Sequence, residues 1–254
     1  LFFPLITWMP GLPGLVPLFF IMGITAGMLD VSMNSQAVMV EKAKGKPIMT
    51  SFHALFSIGM ALGAACGSFF SGLSTSLFSH LLAITIASMV ASIFARYHLI
   101  RDKPEGDIEG PAFRLPNVAM VSIGFIAFCS MLGEGAMADW STNYMENVAR
   151  ATTTMAPLGL SAFALAMTIG RILGDRARAK YGDKKLMVVC GVIATIGLMF
   201  AILISQPLFV VIGFFLVGVG LSVIVPIAYS VAGNSTSVSP GVGLAMVTTV
   251  GYTG

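Results

Sequence analysis

Seven apolar runs, each long enough to cross a bilayer as a helix, follow one another along this chain, at roughly 15–40, 49–72, 80–99, 117–145, 157–174, 186–204 and 208–232. A spanning helix needs about 20 apolar residues, and only a helix or a closed barrel satisfies its own backbone groups in hydrocarbon. Barrel strands are shorter, about 10 residues, and alternate in polarity; these runs show no such alternation. The chain is therefore expected to be an all-α membrane protein. Composition agrees, since only 10% of its 254 residues are charged, against roughly 25% in a soluble domain.

Polar hinges at 41–47, 73–79, 100–116, 146–156, 175–185, 205–207 and 234–241 separate the runs, and alternate hinges fall on alternate sides of the membrane. One side receives Lys42, Lys44, Lys46, Arg96, Arg101, Lys103, Arg114, Arg176, Arg178, Lys180, Lys184 and Lys185; the other receives Arg150 alone. Basic residues are retained in the cytoplasm, so 41–47, 100–116 and 175–185 are expected there. Topology then accounts for the net charge of +3, and nucleic acid is not an expected partner. The 100–116 hinge mixes Asp102, Glu105, Asp107 and Glu109 with basic residues and three prolines. It reads as a linker between an N-terminal bundle over 1–99 and a C-terminal bundle over 117–254. The end pieces, Leu1–Trp8 and the run reaching Gly254, are shorter than a span and are expected to be parts of longer helices. Phe20 and Gly23 in the first run are echoed by Phe215 and Gly218 in the last, as internal repeats of secondary transporters are.

Charged groups at membrane depth are costly and are functional candidates. Asp30 lies about 22 Å along a helix from Leu15 and about 16 Å from Glu41, near mid-depth. Gly23, Gly27, Asp30 and Asn34 share one helix face by their 4-3-4 spacing, so a carboxylate that can carry a proton stands beside an amide with room for ligand or water. A structural hydrogen-bonded pair is the other reading of Asp30 and Asn34. Glu134 lies about 28 Å from Leu115, in the outer half, and Gly133 and Gly135 suggest a loosened helix there. Asp139 converges with Glu134 only if that helix breaks, and is otherwise a half-hydrated interface residue. His53, near the cytoplasmic face, is either a proton relay or an interface histidine. Arg171, close to the basic hinge, reads as a snorkelling side chain. Cys66, Cys129 and Cys190 sit far apart in apolar runs and read as small buried hydrophobes. Metal-ligand spacing, a phosphate loop and a nucleophile elbow are absent from the sequence, so neither an enzyme nor a cofactor or metal is expected.

Gly170, Arg171, Gly174, Asp175 and Arg176, followed by Arg178, Lys180 and Gly182, resemble the glycine–aspartate–basic signature of major facilitator proteins. That family carries it on the cytoplasmic loops between helices 2 and 3 and between helices 8 and 9. The resemblance implies two six-helix bundles, here running from the end of helix 3 to the start of helix 11, with 100–116 as the central cytoplasmic loop. Gly218, Gly220 and Pro226 fit helix 10 of that fold. In the signature, glycines allow a tight turn, and Asp175 pairs with a basic group in one conformation and releases it in another. The helix bearing Gly23, Gly27, Asp30 and Asn34 is similar to helix 4 of the fucose–proton symporter branch, where an acidic residue takes part in proton coupling. The segments around His53 and from Gly133 to Trp140 look like a bacterial inner-membrane branch of transporters. The resemblance implies proton-coupled secondary transport of a small polar solute by a monomer, through alternating access. Its partners would be the solute, protons and the lipid bilayer. The alternatives are proton-driven efflux of amphipathic compounds, or a sensor or channel of the same topology. A channel would carry a pore-lining ring or a re-entrant filter, which the sequence does not show.

Overall fold

The computed structural model describes residues 2–73, 75–100, 117–236 and 238–253; the linker beyond Ile100, with Lys103, lies outside the described residues. Every regular element among them is helical. In chain order these are α1 (Leu12–Lys44), α2 (Met49–Gly72), α3 (Leu77–Ala95), α4 (Val118–Asn147), α5 (Pro157–Tyr181), α6 (Asp183–Leu203), α7 (Pro207–Leu221), α8 (Ile224–Gly233) and α9 (Pro240–Gly251), with short 3₁₀ turns at Phe3–Trp8 and Arg96–His98. Seven described segments are long and apolar enough to span a membrane, the last being Pro207–Gly233, which joins α7 to α8.

Two features depart from the apolar pattern. First, α5 continues to Tyr181 and α1 to Lys44, beyond the apolar runs that end near 174 and 40. Hydropathy records where lipid ends, whereas the helix goes on as long as its backbone stays bonded. Second, the last span breaks at Ser222–Val223. Pro226 has no N–H to offer the Ser222 carbonyl, which is where a proline kink is expected.

The chain divides into two compact units. One comprises Leu1–Gln36 and Ile58–Asp107, the other Ala37–Ser57 and Ile108–Gly254. In the first unit, Trp8 stacks on Phe78 at 5.0 Å. The Gln36 side chain makes a two-way amide pair with the Ile100 backbone, 3.0 Å in each direction.

The second unit is built on α4 to α9 together with the end of α1 and the start of α2. Met137, Met145, Phe163, Met167, Phe214 and Leu221 form its main core. Helices α6 and α7 come into backbone contact. A Cβ on Gly213 would lie 2.6 Å from the Gly197 carbonyl oxygen, and one on Gly197 would lie 2.7 Å from that of Gly213. Only glycine fits at either position, as expected where backbones pack in lipid. Cys190 is buried, but Cys66 and Cys129 are exposed, so two of the three cysteines lie outside any core.

Candidate functional site

The buried face of α5 runs through Phe163, Met167, Arg171, Gly174 and Arg178. Steps of three and four hold these residues on one stripe, so the helix presents two buried arginines two turns, or about 10 Å, apart. Each anchors a polar cluster in the second unit.

Arg178 closes a complete network. Its Nε and Nη2 donate to the two carboxylate oxygens of Asp183 at 2.8 and 3.0 Å. Its Nη1 donates to Glu41 Oε2 at 3.2 Å, and Nη2 also donates to Ser230 Oγ at 3.0 Å. The Ser230 hydroxyl donates to Glu41 Oε1. Glu41 in turn accepts from the backbone amides of Ile48 and Met49, at 2.9 and 3.0 Å. The next two amides, of Thr50 and Ser51, donate to Asp175 at 3.0 and 2.8 Å, and the Ser51 hydroxyl joins them. A helix start leaves about four amides unsatisfied and carries partial positive charge. Two carboxylates supply what the start of α2 lacks.

The Arg171 cluster is left half made. Its Nη1 donates to Ser57 Oγ at 2.7 Å and its Nη2 to Glu134 Oε2 at 3.1 Å. Arg171 Nε, Glu134 Oε1 and His53 Nε2 are buried and have no hydrogen-bond partner among the described residues. The His53 ring meets Tyr229 edge-on at 5.9 Å.

The residues singled out from sequence fall into place unevenly. Arg171 does not snorkel. Because α5 extends to Tyr181, Arg171 stands ten residues from its end, about 15 Å, and turns inward. Gly170 and Gly174 form no turn; they lie inside α5. A Cβ on Gly170 would be 2.6 Å from the Ser222 Cβ, and one on Gly174 would be 2.8 Å from the Thr50 hydroxyl. Their smallness therefore lets α5 approach the α7–α8 break and α2. The turn residue is Gly182, at φ 77°. Asp175 caps α2, while Arg176 is exposed. The loosening expected at Glu134 is not seen: α4 runs unbroken, so Asp139, five residues on and about 140° around, points away and is exposed. In the first unit, the Asn34 side-chain amide donates to the Asp30 backbone and carboxylate oxygens at 2.9 and 3.0 Å, so the shared face is real. Gly23 and Gly27 have nothing within 4 Å of an added Cβ. Sequence reasoning passed over Glu41, Arg178, Asp183, Ser230 and Ser57. The signal for Arg178 was its place on the stripe set by Gly174 and Arg171. Among the described residues, no three His, Cys, Asp or Glu side chains converge as metal ligands would.

A family model described as Major Facilitator Superfamily matches residues 1–254. An uncharacterized MFS-type transporter of Yersinia pestis is 36% identical over 234 residues, covering 92% of this chain and 61% of that protein. An uncharacterized transporter of Sinorhizobium fredii is 34% identical over 247 residues, covering 96% and 65%. The membrane protein MosC of Rhizobium meliloti is 32% identical over 240 residues, covering 91% and 56%. The chain thus spans less than two thirds of the length of these relatives. No solved structure matches it.

Proposed function

As a member of the Major Facilitator Superfamily, this chain is an integral multi-pass membrane protein of a transporter family, and we propose that it forms the larger part of a proton-coupled secondary transporter of a small polar solute. It works by alternating access in a bacterial inner membrane, with two helical bundles joined through 100–116 and the lysine-rich ends in the cytoplasm. The observation that carries the reading is the clasp at those ends. Arg178 and Asp175 of α5 hold the end of α1 and the start of α2 through Glu41 and the first amides of α2, and Asp183 of α6 bonds to Arg178. A buried clasp of charge-assisted hydrogen bonds is strong while closed, and its opened groups can be hydrated. It therefore suits a contact made in one state of a cycle and released in the other.

Coupling falls to a mid-depth carboxylate, and Asp30, beside Asn34 and two uncrowded glycines, is the one the first unit offers. The test uses full-length protein in vesicles with an imposed pH gradient and a screen of labelled solutes. Asp30→Asn is expected to abolish gradient-driven accumulation and to leave exchange of labelled for unlabelled solute intact, because a neutral side chain imitates the protonated state. Accumulation at the wild-type rate in this variant would leave Asp30 a structural group. In intact cells with Cys66 and Cys129 replaced, an impermeant thiol reagent is expected to label a cysteine at Arg150 but not one at Lys184; the reverse pattern would invert the topology.

A further inference from the structure

A guanidinium binds a carboxylate most strongly through two parallel N–H groups on one edge. Arg178 uses that edge fully, with Nε and Nη2 both on Asp183. Arg171 does not. Only Nη2 reaches Glu134, at 3.1 Å, and by one oxygen. The Nε beside it and the other Glu134 oxygen are both buried and unpartnered among the described residues. The pair is also lopsided in access, for the Arg171 side chain is 5% exposed and that of Glu134 28%.

We propose that the Arg171–Glu134 pair is a proton-gated binding site for the carboxylate of a small organic monoanion, a reading that rests on the transport function above and names the class of its solute. Arginine keeps its charge at any working pH, so the buried cation at position 171 needs an anion beside it at all times. Glu134 is that anion when the site is empty. Among the described residues of the second unit, the groups facing the pair offer no other. Ser57 and His53 come from α2, and Tyr229 of α8 touches His53. Helices α7 and α9, which also pack on α4, carry no ionisable side chain. Asp175, one turn away on α5, is already held by Thr50 and Ser51, and Asp139 points away. A proton taken up by Glu134 therefore releases the Nε–Nη2 edge. A planar carboxylate fits that edge with two hydrogen bonds where Glu134 made one, and His53 Nε2 is a further polar atom in the same neighbourhood. Proton and anion enter together and leave together, the Glu134 proton moving in addition to the one carried by Asp30, with both needed for net accumulation; no covalent bond changes, and the site stays neutral throughout. With one positive charge to answer, a monoanion balances the site and a dianion does not.

The test uses the purified full-length protein in lipid nanodiscs, with thermal unfolding measured against lactate, benzoate and succinate and against lactamide and benzamide. A monocarboxylate is expected to raise the midpoint at about pH 5.5, with affinity at least about tenfold weaker at about pH 7.5, because one proton is linked to binding. The amides should not at either pH, and succinate, a dianion at about pH 7.5, should not bind Glu134→Gln there. Glu134→Gln is expected to bind the monocarboxylate equally at both pH values. Glu134→Gln combined with Arg171→Gln, a charge-balanced pair chosen to keep the fold, should bind none. Stabilisation by no monocarboxylate at either pH overturns the proposal, as does wild-type pH dependence in Glu134→Gln. Gradient-driven uptake of an amide in vesicles would also overturn it while leaving the transport reading intact. Pair-dependent carboxylate binding without any gradient-driven uptake would uphold the site and sink the transport reading instead.

Discussion

Arg171 and Arg178 stand two turns apart on one face of α5, are both buried, and are surrounded quite differently. Arg178 has every terminal nitrogen occupied by Asp183, Glu41 and Ser230, and the last two are bonded to each other. Arg171 has two nitrogens occupied and one idle. In low dielectric a fully satisfied network rigidifies its surroundings, whereas a partly satisfied one keeps a group in reserve. The contrast separates a fastener from a receptor: the same residue type, on the same helix, holds helices together at one level and leaves bonding capacity open at the other.

The comparison can be broken by measuring what each arginine contributes. Arg178→Ala leaves the buried Glu41 carboxylate its amide and hydroxyl donors but takes away the guanidinium that answers its charge, and is expected to cost about 3–5 kcal/mol, as loss of one partner of a buried pair does. Arg171→Ala is expected to cost less, about 1–3 kcal/mol, because Glu134 is partly exposed and can be hydrated. Chemical unfolding in detergent of the two full-length variants decides it, and equal losses would remove the distinction. A smaller effect sharpens it. Asp175→Ala deletes a cap and is expected to cost about 0.5–2 kcal/mol. The same substitution should slow transport cycling and leave solute affinity within a few-fold, since Asp175 belongs to the clasp and does not touch the Arg171 pair. Loss of equilibrium binding with unchanged conformational rates would move Asp175 out of the clasp. Smallest of all, exposed Arg176→Ala should stay within about 0.5 kcal/mol of wild type; a larger loss would mean that position 176 has partners in the fold.

Much of this was legible in the sequence because it is local. Apolar runs mark the spans, since lipid acts residue by residue. Asp30 and Asn34 meet as their i, i+4 spacing requires. Asp175 and Arg171 were singled out by the company they keep. The pairings that make the site were not legible, for a physical reason. Arg178 reaches Glu41 across 137 positions and Arg171 reaches Glu134 across 37, and such meetings depend on which helices are neighbours. Charge counting had already given Arg178 a sufficient role as a topology residue, which hid its second one. The loosening imagined at Glu134 failed because flanking glycines at helix positions serve packing as readily as breaking: Gly133 lies against Leu221, and α4 stays whole.

The start of α2 has a consequence for biogenesis. Its first two waiting amides, of Ile48 and Met49, find Glu41 only seven and eight residues back, so half of the cap exists as soon as this hairpin leaves the ribosome. The other half is Asp175, 125 residues later for Thr50 and 124 for Ser51. At about 5–20 residues per second of synthesis, that interval is roughly 6–25 s. During it the nascent chain holds a helix whose first turn is anchored on one side and frayed on the other. The arrival of α5 then both inserts a span and completes an earlier one, so the membrane assembly of this protein is ordered by a debt of two hydrogen-bond donors that only a later helix can settle.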